Sequence, residues 1–403
     1  MDALNPRICY VSDERFPSRW TDTQQIVKTA TALSDEGANV DLVLPRRFSR
    51  TFFAGPAARR QEVTSAYGVT PLFELTQIPT VPAGATRLEK ITHGIAAPLY
   101  ALFSGHDVVY TRNVVSLTWA LLLGKAAVFE SHRVLKQHYP VSYRFIRWAR
   151  RFPRFLGVVT NARFIAEAYR QMGFSEAQVT IVHNAFDPAD MEPRLDRMAA
   201  RKQIGLVGSD GEPERRAIVC YAGHIQKRKG IDTVIELAAR LPETLFLICG
   251  GFPADVAAAE QSAAARGATN LHFTGWIDVA RLAPYLYAAD VLLIPPTRAP
   301  LEKHGNTVLP IKTYTYLAAG RVIVAPRLPD VEEVLTDGAN ALLVPPDDLD
   351  GAVAAIRGVL ADPPLAARLG AAALTRQNDF TWRARARQIR AFLARRLAVM
   401  SKA

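Results

Sequence analysis

No run in this chain is apolar for the roughly 18 residues that a membrane-spanning helix needs. The most apolar stretch, Val114 to Phe129, is broken by Gly124 and Lys125, so it reads as a helix, a turn and a strand. Cysteine is scarce: Cys9, Cys220 and Cys249 have neither CxxC spacing nor a histidine at metal-ligand spacing. That excludes a disulfide scaffold or a cysteine zinc site, and it reads as three small core residues in a reducing compartment. Glycines are missing where a dinucleotide-binding turn would need them. The first turn after a strand, Ser12-Asp13-Glu14-Arg15-Phe16, contains no G-x-G-x-x-G, which removes a dehydrogenase fingerprint. A secretory leader is not expected either, since Asp2 and Pro6 precede an apolar run of only Ile8 to Val11. Low-complexity segments and short repeats are absent.

What the chain does have is enough apolar material for two cores. Its 403 residues are 49% hydrophobic and 22% charged, the balance of a globular protein, and the length exceeds one ordinary domain. The net charge of +11 and a pI near 9.7 call for acidic partners: nucleotides, anionic lipid or nucleic acid. Charge by itself does not choose among them.

Short apolar strands alternate with amphipathic helices along the whole chain. Arg7–Val11, Asn39–Leu44, Asp107–Tyr110, Ala127–Glu130 and Gly157–Thr160 read as strands of a first α/β domain. Asp22–Glu36 places Ile26, Val27, Ala30 and Leu33 on one helical face and stops at Gly37. Arg46 to Arg60 reads as a basic loop, and 87–103 as a helix. Two strand ends carry polar residues on what should be one rim: Arg112-Asn113 and Glu130-Ser131-His132. The turn-rich segment His183 to Pro188 marks a domain boundary. Beyond it, strands at 218–221, 245–249, 271–273, 291–294, 322–325 and 341–344 alternate with helices, the pattern of a second doubly wound parallel sheet. The expected division is 1–187, 188–378, and a final amphipathic helix in 379–403 that packs back on the first domain.

The stretch Tyr221-Ala222-Gly223-His224-Ile225-Gln226-Lys227-Arg228-Lys229-Gly230 links a buried strand to a helix through a cationic glycine turn. Backbone N–H groups and the helix dipole favour an anion at such a place. The turn therefore reads either as a diphosphate cradle, with Lys229, Arg228 and His224 as its cations, or as a solvated charged turn.

Four separated motifs choose between these. Gly223-His224 with Lys229-Gly230, Pro310-x-Lys312-x-x-x-Tyr316-x-Ala318-x-Gly320, Glu130-x-His132 and His183-Asn184-x-x-Asp187 together resemble the retaining glycosyltransferases of the GT-B fold, family 4. The resemblance runs from about residue 7 to residue 344. It implies two Rossmann-like domains facing a cleft, a nucleoside-diphosphate sugar as donor, and no metal or other cofactor. Lys229 stands in the place of the family lysine on the donor diphosphate, and His132 in that of the histidine facing the transferred sugar, with Glu130 as the acidic residue beside it. Gly275-Trp276-Ile277 is similar to the segment that reads the base, and Lys312 matches a family lysine that would touch the donor. Asn306 or Thr307 can cap the helix that carries Lys312, either leaving backbone N–H groups for the donor's phosphate or sugar hydroxyls or serving as a cap alone. Arg112 and Asn113 are candidates for the acceptor side, with Asp22 and Thr23 below the same rim.

Two departures stand out. His224 replaces the family arginine, and neutral histidine offers less to a phosphate than a guanidinium. Thr307 and Thr315 occupy the two acidic positions of the family, and a threonine hydroxyl cannot reproduce a carboxylate's two-oxygen grip on ribose. Glu302 is the nearest carboxylate to take over. The expected function is transfer of a sugar to an acceptor hydroxyl with retention of configuration, in cell-surface polysaccharide or glycolipid synthesis. The alternative is a non-catalytic scaffold on the same fold. Arg144 to Phe155 interleaves five arginines with aromatics, as an interfacial anchor on anionic lipid would. The expected location is cytoplasmic, peripheral at the inner face of the plasma membrane, with a glycan or lipid-linked sugar as acceptor. A nucleic-acid partner is not expected, because no stacking platform or recognition motif accompanies the charge.

Overall fold

The computed structural model describes residues 5–14, 16–18, 21–46, 54–70, 72–80, 86–208, 210–225, 229–299 and 309–401. Among the sequence-derived site residues, Arg228, Asn306 and Thr307 lie outside that set, as do Lys227, Glu302 and His304.

The chain forms two compact units, Met1–Asn184 with Trp382–Ala403, and Ala185–Thr381. The first division falls inside the turn-rich His183 to Pro188, and the second at the start of the final helix, a few residues past 378. The C-terminal helix Trp382–Met400 belongs to the first unit, and Ile389, Phe392, Leu393 and Leu397 pack into the same core as Ile8, Tyr10, Val40 and Leu42.

That sheet has seven strands: β1 (Arg7–Val11), β2 (Asn39–Arg46), β3 (Glu74–Pro79), β4 (Val108–Thr111), β5 (Ala126–Ser131), β6 (Phe155–Thr160) and β7 (Val179–Ile181). Their order is β3-β2-β1-β4-β5-β6-β7, every pair parallel, so the winding reverses between β1 and β4. Burial on both faces of the inner strands explains their nearly unbroken apolar runs. Two elements depart from the sequence reading. The supposed loop 46–60 contains the start of a helix, Pro56–Ala66, and β3 was not anticipated. Glu74-Leu75-Thr76-Gln77-Ile78-Pro79 is half polar because it is an edge strand, half-buried and paired only with β2. It lacks the apolar signal of its neighbours.

The second sheet has six parallel strands: β8 (Ile218–Ala222), β9 (Leu245–Cys249), β10 (Leu271–Gly275), β11 (Val291–Leu293), β12 (Val322–Pro326) and β13 (Leu342–Val344). Their order, β10-β9-β8-β11-β12-β13, reverses between β8 and β11. Both units are therefore doubly wound α/β domains, and in each the first strand ends at the switch point where such sheets bind ligands. The three cysteines are free and buried, as their apolar settings required.

Candidate active site

In the first unit the switch point opens into a cavity of about 400 Å³. Its wall comes from the loop after β1 (Ser12, Asp13, Glu14), the end of β4 (Arg112, Asn113) and the end of β5 (Glu130, Ser131, His132). The centre of this wall is Glu130, on the last turn of pleat in β5 and 1% exposed. Its Oε1 accepts from Arg112 Nη2 at 2.8 Å, His132 Nε2 at 2.8 Å and Arg385 Nη2 at 2.5 Å, while Oε2 accepts from the Tyr10 hydroxyl at 3.2 Å. Burial opposes ionisation of Glu130, but Arg112 and Arg385 outweigh it and hold the carboxyl well below the usual range. The Arg112 guanidinium is correspondingly shifted up despite its burial.

His132 reads as a neutral base. Burial, and after it the Arg112 charge, push its imidazolium down to about 4, against the opposing pull of Glu130. With Glu130 ionised, the bond at Nε2 puts the proton on that nitrogen and leaves Nδ1 as an acceptor. A buried carboxylate that orients a neutral histidine on the wall of a cavity is an arrangement suited to meeting substrate hydroxyls.

Asn113 lines the same cavity from the end of β4. Its Oδ1 caps the helix Val114–Leu122, accepting from Val115 N at 2.7 Å and Ser116 N at 3.3 Å. Its Nδ2 donates to Asp13 Oδ2 at 3.0 Å and to the Lys90 carbonyl at 3.1 Å. Its hydrogen-bonding groups are used inside the protein, and it forms part of the cavity wall. Asp13 and Glu14 also face the Lys90 ammonium, at 3.4 and 3.2 Å. Asp22 lines the same cavity, whereas Thr23 is buried and its hydroxyl lies 2.8 Å from that of Ser18.

In the second unit the end of β8 meets two cations. Gly223 has φ 143°, a region that favours glycine, and a Cβ there would lie 2.8 Å from Lys312 Nζ. The Lys312 ammonium sits 3.7 Å from the centroid of the Tyr221 ring. Burial, and then the charge of Lys229, push it down to about 7. Lys229 is exposed just before Gly230, which caps the helix Ile231–Arg240. No carboxylate pairs with Lys312 among the described residues. The Lys312 ammonium is thus desolvated and lies within the field of Lys229, beside a helix N-terminus.

His224 follows Gly223 and faces aromatic neighbours. Its ring lies 5.7 Å from that of Trp276 and 6.2 Å from that of Phe252. Phe252 and Trp276 stack 5.4 Å apart with planes 9° from parallel, each about two-fifths exposed. These residues follow β8, β9 and β10, so the fold gathers three strand ends into one half-exposed aromatic group. Trp276 Nε1 donates to Asp278 at 3.2 Å. Thr315 is in the helix Lys312–Ala319, where its hydroxyl donates to the Lys312 carbonyl at 2.9 Å, a local bond that leaves no carboxylate-like grip. Tyr316 is fully buried, and its hydroxyl accepts from Ala222 N at 2.8 Å, completing the end of β8.

Asp348-Leu349-Asp350 has the Asp-x-Asp spacing of some metal-dependent transferases, but both carboxylates are engaged elsewhere. Asp348 caps the helix Leu349–Ala361 through Gly351 N at 2.9 Å, and Asp350 receives Arg240 at 2.6 Å. In the turn after β7, His183 Nδ1 is 3.1 Å from the Asn161 carbonyl, and Asp187 accepts from Ala189 N at 3.1 Å. The residues missed by sequence reading are Tyr10, Phe252 and Arg385. Only Arg385 left a signal, a charge four residues before Ile389 on the apolar face of its helix.

Two family models cover most of the chain: Glycosyltransferase Family 4 at residues 23–190 and Glycosyl transferases group 1 at residues 207–376. A phosphatidyl-myo-inositol mannosyltransferase of Mycolicibacterium smegmatis is 33% identical over 178 residues, 43% of this chain and 44% of the relative. The chain spans about half the length of the curated relatives it matches first. A GDP-mannose-dependent alpha-(1-6)-phosphatidylinositol monomannoside mannosyltransferase of the same organism is 30% identical over 333 residues, 79% of this chain and 81% of the relative. Among solved structures, sucrose-phosphate synthase from Thermosynechococcus elongatus superposes with a TM-score of 0.72 at 19% identity, covering 98% of this chain and 100% of that one. HepE of Anabaena, in complex with UDP-glucose, superposes with a TM-score of 0.68 at 16% identity, again over 98% and 100%. Those two likenesses bear on fold alone, and the architecture is GT-B. On the two models and the long alignment, the chain belongs to the family 4, or group 1, glycosyltransferases.

Proposed function

We propose that the protein transfers a sugar from a nucleoside-diphosphate sugar to an acceptor hydroxyl with retention of configuration, in cell-surface polysaccharide or glycolipid synthesis. The observation that carries this is the pair Lys229 and Lys312 at Gly223, two cations at a helix N-terminus with burial working against one of them. A diphosphate bound there would meet both positive charges and the helix N-terminus together. As the leaving diphosphate gains charge and the sugar becomes oxocarbenium-like, prearranged cations lower the barrier electrostatically, and the step asks for no metal. The aromatic group Phe252, Trp276 and His224 lies beside these cations at the neighbouring strand ends, where a base would follow from the diphosphate. In the first unit, neutral His132 offers Nδ1 to a sugar or acceptor hydroxyl. Relatives named for UDP-glucose and GDP-mannose leave uridine and guanosine donors as the two to test first.

Purified protein incubated with UDP- and GDP-sugars, with and without lipid extract, should release nucleotide, and the product's anomeric configuration reads retention against inversion. Lys229→Ala should lower the rate by about two orders of magnitude, the scale of losing one charge stabiliser. Turnover unchanged in that variant removes Lys229 from the site, and saturable nucleotide binding without turnover in any condition favours the scaffold.

A lipid-linked acceptor fits the helix Pro140–Ala149. Val141, Phe145 and Trp148 are exposed on it beside Arg144 and Arg147, the composition of an interfacial helix on anionic lipid. No helix of the described residues is long and apolar enough to cross a membrane. Flotation with anionic liposomes, lost in a Phe145→Ser, Trp148→Ser double variant, tests this attachment.

A further inference from the structure

Glu130 receives two guanidinium groups, and one of them comes from a helix more than 250 residues later in the chain. Arg385 lies one turn into the helix Trp382–Met400, is 3% exposed, and divides its donors between two tasks. Nη1 donates to the carbonyls of Val182 at 2.6 Å and His183 at 2.8 Å, beyond the end of β7, and Nε to Thr29 Oγ1 at 3.3 Å. Nη2 donates to Glu130 Oε1 at 2.5 Å, the same oxygen that accepts from His132. A guanidinium fork spanning a strand end and a buried carboxylate is a rigid device, because its planar donors cannot swing independently.

Anchoring the helix needs only the carbonyl contacts, which any buried donor could make. The bond to Glu130 does something else. An uncompensated carboxylate in this core would take up a proton, and a protonated Glu130 would no longer be a dependable acceptor for His132 Nε2–H. Arg112 also supplies charge, but it sits on the cavity wall, where a bound substrate's hydroxyls or phosphates would compete for it. Arg385 is shielded from that competition.

We propose that Arg385 is a positioning residue for the active site of the first unit: from the C-terminal helix it keeps Glu130 an acceptor, and so holds His132 in the tautomer that presents Nδ1 to substrate. The catalytic consequence rests on the reading that His132 meets the sugar or acceptor. The tautomer itself does not depend on that reading.

The test uses the full chain with ¹⁵N-labelled histidine, the His132 signals being assigned by their loss in His132→Gln. At pH 7 the wild type should show one tautomer, protonated on Nε2. Arg385→Gln keeps a donor for the Val182 and His183 carbonyls but removes the cation. It should give a mixture of tautomers, with kcat for nucleotide release down at least about tenfold and the donor KM unchanged within about twofold. Arg385→Lys, which restores the charge, should bring back the single tautomer and most of the rate. A single Nε2–H tautomer persisting in Arg385→Gln overturns the proposal. If that variant does not fold, Arg385→Lys decides: a lost rate with an unchanged tautomer overturns it, and a retained tautomer with a retained rate supports it. Wild-type turnover in His132→Ala would instead defeat the reading of the cavity while leaving the tautomer result standing.

Discussion

The ammonium of Lys312 lies over the face of Tyr221, 3.7 Å from the ring centroid, and directly behind the Cα of Gly223. The ring's quadrupole supplies part of the stabilisation that water would otherwise give the charge. It does not supply all of it, since burial and Lys229 still push the group down to about 7.

A bound diphosphate favours the charged form of Lys312, so above pH 7 donor binding must bring a proton with it. Affinity for UDP or GDP should then weaken as pH rises above about 7, by up to about tenfold per unit. Calorimetry in buffers of different ionisation enthalpy should show proton uptake at pH 8. Lys312→Met should weaken binding at pH 6.5 and abolish both the uptake and the pH slope.

His132 gives a second pH signature, in stability. Its folded value, near 4, lies below the ordinary value near 6.5, so between those pH values the unfolded chain binds a proton that the folded chain refuses. Stability attributable to this group is full above about 6.5 and is lost as pH falls toward 4, by up to about 3 kcal/mol. Urea unfolding at pH 7, 5.5 and 4.5 should show that loss in the wild type and a shallower one in His132→Gln.

Gly250 backs the turn at Gly223. With φ 130°, it would place a Cβ 2.2 Å from the Gly223 carbonyl oxygen, a backbone atom that cannot rotate away. Gly250→Ala should therefore cost on the order of 2 to 3 kcal/mol and weaken nucleotide binding together with stability. Denaturant unfolding and a nucleotide titration on the same preparation check both.

Tyr316→Phe removes the acceptor for the Ala222 amide, whose bond to the hydroxyl is 2.8 Å long and buried. Leaving that donor unsatisfied should lower stability by about 1 to 3 kcal/mol. Because Ala222 precedes Gly223, nucleotide affinity should fall as well, while His132 signals in the first unit stay unchanged.

The sequence by itself determined the two doubly wound sheets, because strands buried on both faces must be written as apolar runs and the helices between them keep a 3.6-residue period. It also marked Gly223, Lys229, Glu130 and His132, whose neighbours in the chain are their neighbours in the motif. It left β3 unread, since an edge strand with half its residues polar carries little of that pattern. It described 46–60 as loop although Pro56 opens a helix, a start signal hidden among basic and small residues. Only the tertiary structure decided which side chains share a site. Asn113 became a helix cap, Thr315 turned to its own helix, and Lys312 moved under Gly223 against an aromatic ring. Arg385 reached Glu130 across 255 residues of chain. Sequence spacing fixes what a residue can touch within a turn or a strand, whereas burial, charge balance and hydrogen-bond completion are properties of contacts that exist only once the chain has closed on itself.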